Sequence, residues 1–310
     1  MYNLRKESFL SLVDNLDEQL HNQYDCLRLC VDKLNALAIL FYLYSINADY
    51  SWDWKNRGFT ANNFYEVIKK IDDDTIKDYF IELADYGKKV FRSDDDIIIP
   101  YPHIAFKPED LKLYKACLAN LLNKNIGGLP SDDAKALALA ILNVKEEESL
   151  LVTGVKCVSD ILNVVRFNTS KIYFEGNSKL INVQTKLYLK ALGFKESEIY
   201  DGSEVDRVFA IADPHDVLET IEDTLFSLKE NGKAVVLAPL ASLSENKSYL
   251  DKLTQQNNLL GTINIPNKNE ALIVLDANRT ASKCVANFTL NEKLDLKTLR
   301  NITAALRNFN

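Results

Sequence analysis

Between residues 150 and 288, short and almost wholly apolar runs alternate with longer amphipathic ones. The apolar runs fall at 150–152, 171–174, 207–212, 234–237, 259–265, 271–275 and 284–288. The amphipathic runs fall at 158–167, 179–192, 217–229 and 247–256, and Gly193 closes the second as a helix stop would. Buried parallel strands read as continuous apolar runs, and helices between them supply the crossovers that parallel pairing needs. The pattern predicts an α/β fold: a doubly wound, mainly parallel sheet covered by helices on both faces. Ser131 is placed to cap a helix over 132–143, with Asp132 and Asp133 favourably in its first turn. Asn231-Gly232 reads as a turn, and a last amphipathic helix is expected over 294–309.

Ahead of this pattern the spacing changes. Residues 1–125 read as a helical N-terminal domain, and 126–310 as the α/β domain. Phe9, Leu12, Val13, Leu16 and Leu20 recur at helical spacing, and 26–44 is apolar around most of a helix. Further helices are expected over 62–70 and 75–90, the latter capped by Asp73 or Asp74, and Pro108-Glu109-Asp110 opens another. Trp52 and Trp54 sit in an aromatic loop that could stack on a base or form a small satellite core. Asp94-Asp95-Asp96 reads as a solvated turn before a short strand at 97–99 rather than as a cation site.

Composition narrows the class. The chain has 310 residues, 47% hydrophobic and 26% charged, which suits two soluble globular domains. The formal charge is -7, so any DNA contact needs a local basic patch, because Lys and Arg supply most non-specific affinity for phosphates. No run reaches the ~18 apolar residues of a membrane span, and the first residues lack a leader pattern, so a cytoplasmic protein is expected. The five cysteines include no CxxC pair; Cys26 and Cys30 read as buried small residues, and no metal site is expected.

In doubly wound sheets ligands bind at the carboxyl ends of the strands. That singles out Thr153 and Gly154 after the first strand, Glu175 after the second, and Asp213 and Pro214 after the next. Glu175 could accept hydrogen bonds from both ribose hydroxyls of a nucleoside cofactor, or be a solvated strand end. Asp213-Pro214-His215-Asp216 could be an acid/base pair or a turn that opens a helix. A turn that brings backbone close to a nucleotide normally uses two or three glycines; 152–158 holds only Gly154, and Val155, Lys156 and Val158 are expected to crowd the approach. His21 and His103 stand alone in sequence, and no phosphate loop or nucleophile pair is found.

Several strings carry a resemblance. They are Gly232-Lys-Ala-Val-Val-Leu-Ala-Pro239, Asn258-Leu-Leu-Gly-Thr-Ile-Asn-Ile-Pro266 and Gly128-Leu-Pro-Ser-Asp-Asp-Ala-Lys-Ala-Leu. With the order of elements, they make 127–288, about half the chain, resemble the adenine-N6 DNA methyltransferases of the kind found as modification subunits in type I restriction-modification systems. The resemblance implies the class I S-adenosylmethionine-dependent methyltransferase fold. It also implies Glu175, in Phe174-Glu175-Gly176-Asn177, as the ribose-binding acid of the cofactor site, with Thr153 and Gly154 beside it. The motif positions depart from the family. Its first motif has an acid, a proline and two glycines, whereas 152–158 has one glycine. Its catalytic motif is Asn or Asp, Pro, Pro and an aromatic, of which only Asp213 and Pro214 remain.

The aromatic of that motif stacks on the flipped-out adenine. Asp216 cannot stack, and base stacking is worth roughly 1–3 kcal/mol. The expectation is a degenerate, catalytically inactive methyltransferase-like protein that acts as a binding or scaffolding subunit in a restriction-modification-like assembly. Its partners would be DNA, another protein or a second copy, and S-adenosylmethionine binding is doubtful. The alternative is a divergent active adenine methyltransferase in which Asp213 orients the amino group.

Overall fold

The structure, a computed structural model, describes residues 33–46, 58–90, 97–100, 111–124, 130–166, 171–194, 197–278, 285–291 and 294–308, with Glu7, Leu10 and Ser11. Cys26, Cys30, His21, His103, the Trp52/Trp54 loop, the Asp94–Asp96 run, Pro108-Glu109-Asp110 and Gly128 lie outside these residues. The chain forms two compact units: Met1–Ile126 with Val183–Lys195, and Gly127–Asn182 with Glu196–Asn310.

In the first unit the elements are α1 (Lys33–Ser45), β1 (Gly58–Thr60), α2 (Ala61–Ile68), α3 (Asp74–Val90), β2 (Ile97–Pro100) and α4 (Leu111–Lys124). Ala36 to Leu43 of α1 are buried on every side, as the unbroken apolar run requires. Thr60 caps α2 through Asn63 N–H, and Asp73 caps α3 by accepting from Ile76 N–H at 3.2 Å. Phe64 stacks on Phe80 with centroids 5.2 Å apart, and Phe59 and Tyr42 complete the aromatic cluster. Lys186 reaches Asp73 at 2.9 Å, a pair largely withdrawn from solvent.

The second unit continues with α5 (Asp132–Leu142), β3 (Ser149–Val155), α6 (Val158–Arg166), β4 (Lys171–Gly176) and α7 (Lys179–Leu192), whose residues from Val183 on count with the first unit. Then come β5 (Ser197–Ile199), β6 (Val205–Ile211), α8 (Val217–Phe226), β7 (Leu228–Pro239), α9 (Ala241–Glu245), α10 (Lys247–Gln255), β8 (Leu259–Ile265), β9 (Glu270–Asp276), β10 (Ala286–Thr289) and α11 (Leu296–Asn308). The eight strands of this unit form one sheet in the order β5-β4-β3-β6-β7-β9-β8-β10. All neighbours are parallel except β9, which runs antiparallel to β7 and β8. The fold is therefore the doubly wound, mainly parallel sheet that the alternation predicts. Asn231 and Gly232 fall within the span of β7 but in an interruption of its ladder: pairing with β6 passes from Leu228, opposite Val205, to Lys233, opposite Arg207, and the chain between them doubles back so tightly that a Cβ on Gly232 would lie 2.9 Å from the Lys229 carbonyl.

Two features place the site. Strand order reverses between β3 and β6, which opens a crevice at their carboxyl ends. Second, β5 reaches β6 through Tyr200–Glu204 alone, without a helix, although it must pass β4 and β3. Parallel crossovers normally take a dozen residues or more. On that face Leu151, Val208, Ala210 and Val236 pack with Val217 and Ile221 of α8 and Leu250 and Leu253 of α10. Beside it Tyr173 of β4 packs edge-on to Tyr200 of the β5–β6 passage.

Candidate functional site

A cleft of about 290 Å³ opens at the carboxyl ends of β3, β4 and β6 and runs along one side of α8. Thr153, Gly154, Lys156, Glu175, Gly176, Asn177, Ile211 and Asp213 line its upper part. Leu151, Asp216, Thr220, Asp223, Thr224 and Ser227 line its lower part.

The upper part is built by two glycines. Gly154 has φ +74°, and a side chain there would collide with the Ile211 carbonyl of β6. Gly176 has no room either: a Cβ would lie 2.6 Å from Ile181 and 2.8 Å from the Val155 carbonyl. Its N–H donates to Asn182 Oδ1 at 2.6 Å, which pins the turn into α7. The Thr153 hydroxyl donates to Glu175 Oε2 at 3.2 Å across the β3–β4 ladder, so both side chains stand at adjacent strand ends. Glu175 is exposed to the cleft.

The expected crowding is not found. Strand β3 runs on to Val155, and Val155 and Val158 are buried, directed away from the cleft. Of the residues expected to obstruct it, only Lys156 faces the opening. Asp160 holds the turn below: its carboxylate accepts from Lys156 N–H at 2.8 Å and Cys157 N–H at 3.1 Å. An acid in the first turn of α6 is also favoured by the helix dipole. Burial pushes the Cys157 thiol up, so it stays protonated.

On the far wall, Asp213 to Asp216 form a turn closed by Asp216 N–H to the Asp213 carbonyl at 3.1 Å, and Pro214 stands exposed within it. Asp213 Oδ1 accepts from His215 N–H at 3.4 Å, and Asp213 Oδ2 lies 3.5 Å from Lys156 Nζ. The His215 N–H, and then the Lys156 ammonium, hold the Asp213 carboxyl below its ordinary range. Asp216 precedes α8 without a side-chain cap bond. All five residues singled out from sequence, Thr153, Gly154, Glu175, Asp213 and Pro214, thus sit at the carboxyl end of the sheet, and all but Pro214 line the cleft. The polar stripe of α8, Thr220, Asp223, Thr224 and Ser227, was not anticipated; its only sequence signal is helical spacing. Among the described residues no group of three or more His, Cys, Asp or Glu is arranged to hold a metal ion. No helix among them is long and apolar enough to cross a membrane.

No protein-family model matches the sequence, and no curated protein is similar to it. Solved structures do match. A proposed class I S-adenosylmethionine-dependent methyltransferase from Listeria monocytogenes aligns over 99% of both chains, with a TM-score of 0.52 and 13% identity. A proposed O-methyltransferase from Agrobacterium tumefaciens aligns over 55% of this chain and 96% of its own, with a TM-score of 0.41 and 9% identity. A proposed methyltransferase from Streptococcus mutans, in complex with SAH, aligns over 48% and 99%, with a TM-score of 0.36 and 13% identity. The order of strands, the single antiparallel β9 and the full-length Listeria match agree: the chain has the class I S-adenosylmethionine-dependent methyltransferase fold.

Proposed function

We propose that the cleft binds S-adenosylmethionine, and that the protein is a degenerate relative of the adenine-N6 DNA methyltransferases that retains this binding without efficient transfer. One observation carries the reading: Thr153 and Glu175 stand side by side at the ends of β3 and β4, facing a cleft whose backbone is held open at Gly154 and Gly176. The residues fit the cofactor chemically. The Glu175 carboxylate accepts from two vicinal ribose hydroxyls, Lys156 matches a carboxylate, and Asp213 and Asp216 match an ammonium group. The cleft, at about 290 Å³, is near the lower end of small-molecule sites, which run from roughly 300 Å³.

When bound, the cofactor supplies an electrophilic methyl group on sulfonium. The chain's own residues serve transfer poorly. Asp213, the group placed to hold a target amine, is engaged by Lys156 and the His215 N–H. Asp216 stands where the family's motif has its aromatic, and a carboxylate there cannot stack on a base. The role we assign is that of a binding subunit, working beside other proteins in a restriction-like assembly.

Calorimetry with S-adenosylmethionine tests the binding half. Micromolar to millimolar affinity that Glu175→Ala abolishes is expected; silence up to several millimolar overturns it. Tritiated cofactor with DNA tests the second half, and label incorporated into adenine over many turnovers would establish a divergent enzyme instead.

A further inference from the structure

The cleft has a lower arm that nucleoside binding at Glu175 does not use. It lies between the sheet and α8, and the helix-free passage from β5 to β6 leaves it open. Its floor is Leu151, 1% exposed. Its wall is the face of α8 that carries Thr220, Asp223, Thr224 and Ser227.

Three observations on that wall agree. The Asp223 carboxylate is exposed and, among the described residues, has neither a hydrogen bond nor an ion pair. It stands in the last turn of α8, where no basic residue is present. The helix dipole is negative there, so a carboxylate without a cation is unfavourable. Independently, Thr224 is 1% exposed and lines the cleft, yet its hydroxyl has no hydrogen-bond partner. The hydroxyls of its neighbours are satisfied: Thr220 donates to the Asp216 carbonyl and Ser227 to the Asp223 carbonyl, both at 2.8 Å. An unpaired buried hydroxyl is unfavourable, and a donor entering the cleft would give it a partner.

We propose that this lower arm is a binding site for the ammonium group of a small aliphatic amine. The three donors of a primary ammonium suit a carboxylate, a hydroxyl and the carbonyls of a helix end, all acceptors. Leu151 receives the alkyl stem. An inorganic divalent ion suits the arm less well, because it asks for six or more oxygens and has no use for an apolar floor. The lining of the whole cleft, with Glu175, Asp213, Asp216 and Asp223 against Lys156, favours a cation over a phosphate. The site does not depend on the identity of the nucleoside above it.

The test is a titration of the full, isotopically labelled chain with n-butylammonium, followed by amide shifts, with n-butanol as neutral control. Millimolar binding that shifts Leu151, Asp223 and Thr224 is expected. Asp223→Asn should weaken it roughly tenfold, as loss of a charged hydrogen bond does. Thr224→Val, the same shape without the hydroxyl, should weaken it several-fold. Butanol binding as well as the amine, shifts confined to other surfaces, or affinity unmoved by Asp223→Asn would each overturn the proposal. Because Glu175→Ala acts on the nucleoside and Asp223→Asn on the amine, failure of one reading leaves the other standing.

Discussion

The Glu270 carboxylate, wholly buried at the start of β9, accepts from the backbone N–H of Ser131 at 2.7 Å and from its hydroxyl. The same Ser131 oxygen accepts from Ala134 N–H at 3.2 Å, so the cap of α5 is itself anchored by the sheet. An antiparallel strand inserted among parallel ones is thereby tied to the helix that enters the domain.

Replacing Glu270 by Ala leaves the Ser131 donors without a partner in the interior. Loss of hydrogen bonds to a charged group costs roughly 1.5–3 kcal/mol. Glu270→Gln keeps one acceptor and should lose about half of that. Urea unfolding of the two variants checks the ranking; equal stability would show the bond to be idle.

Asp206 gives an acid limb to stability. Burial pushes its carboxyl up, but the Lys229 ammonium and the Ser149 N–H and hydroxyl outweigh this and bring it down to about 2. The unfolded chain therefore takes up this proton first. The contribution is complete above the ordinary Asp range, near pH 4, and drains away as pH falls towards 2. Asp206→Asn should flatten that part of the stability curve and leave the slope above pH 5 alone, as denaturation midpoints at several pH values would show.

Gly154→Ala should be the most damaging single methyl in the cleft. The left-handed backbone alone costs an L-residue roughly 1–2 kcal/mol, and the collision with the Ile211 carbonyl adds to it. Gly202→Ala, also at positive φ but with open space around it, should lose only the backbone part. A pair of thermal melts separates the two contributions.

Lys156→Ala removes the partner of Asp213 at the cleft mouth. Both side chains are about half exposed, 48% and 41%, so the folded state should be equally stable without the pair. Ligand affinity is another matter. If Lys156 faces the carboxylate of S-adenosylmethionine, the variant binds it more weakly while adenosine affinity is unmoved; calorimetry with both compounds reads the difference.

Much of this was legible in the sequence because apolar periodicity reports burial directly. Lys179–Leu192 and Leu259–Ile265 end where the pattern ends, and Ser131 caps the helix it precedes. The direction of β9 was not legible. Its reversal is made by Pro266–Lys268 and Asn269 at φ +55°, a tight connection that resembles any polar loop in composition. Nor was the orientation of Val155 and Val158. Bulk in a sequence says nothing of direction, and both side chains turn inward because β3 continues past Gly154. Asp223 carries no signal in the sequence: an acid on an amphipathic helix is usually solvated, and it becomes part of a wall because the passage from β5 to β6 is made without a helix.

The loop Asp201-Gly202-Ser203 is exposed, and a Cβ placed on Gly202 would meet nothing within 4 Å. Extra residues spliced in at Gly202 would lengthen the helix-free passage from β5 to β6 and could lie across the lower arm of the cleft, at little entropic penalty for the longer loop. A short insertion at this single point would therefore act as a plug for the groove, and the size of molecule admitted could be set by the length of one surface loop.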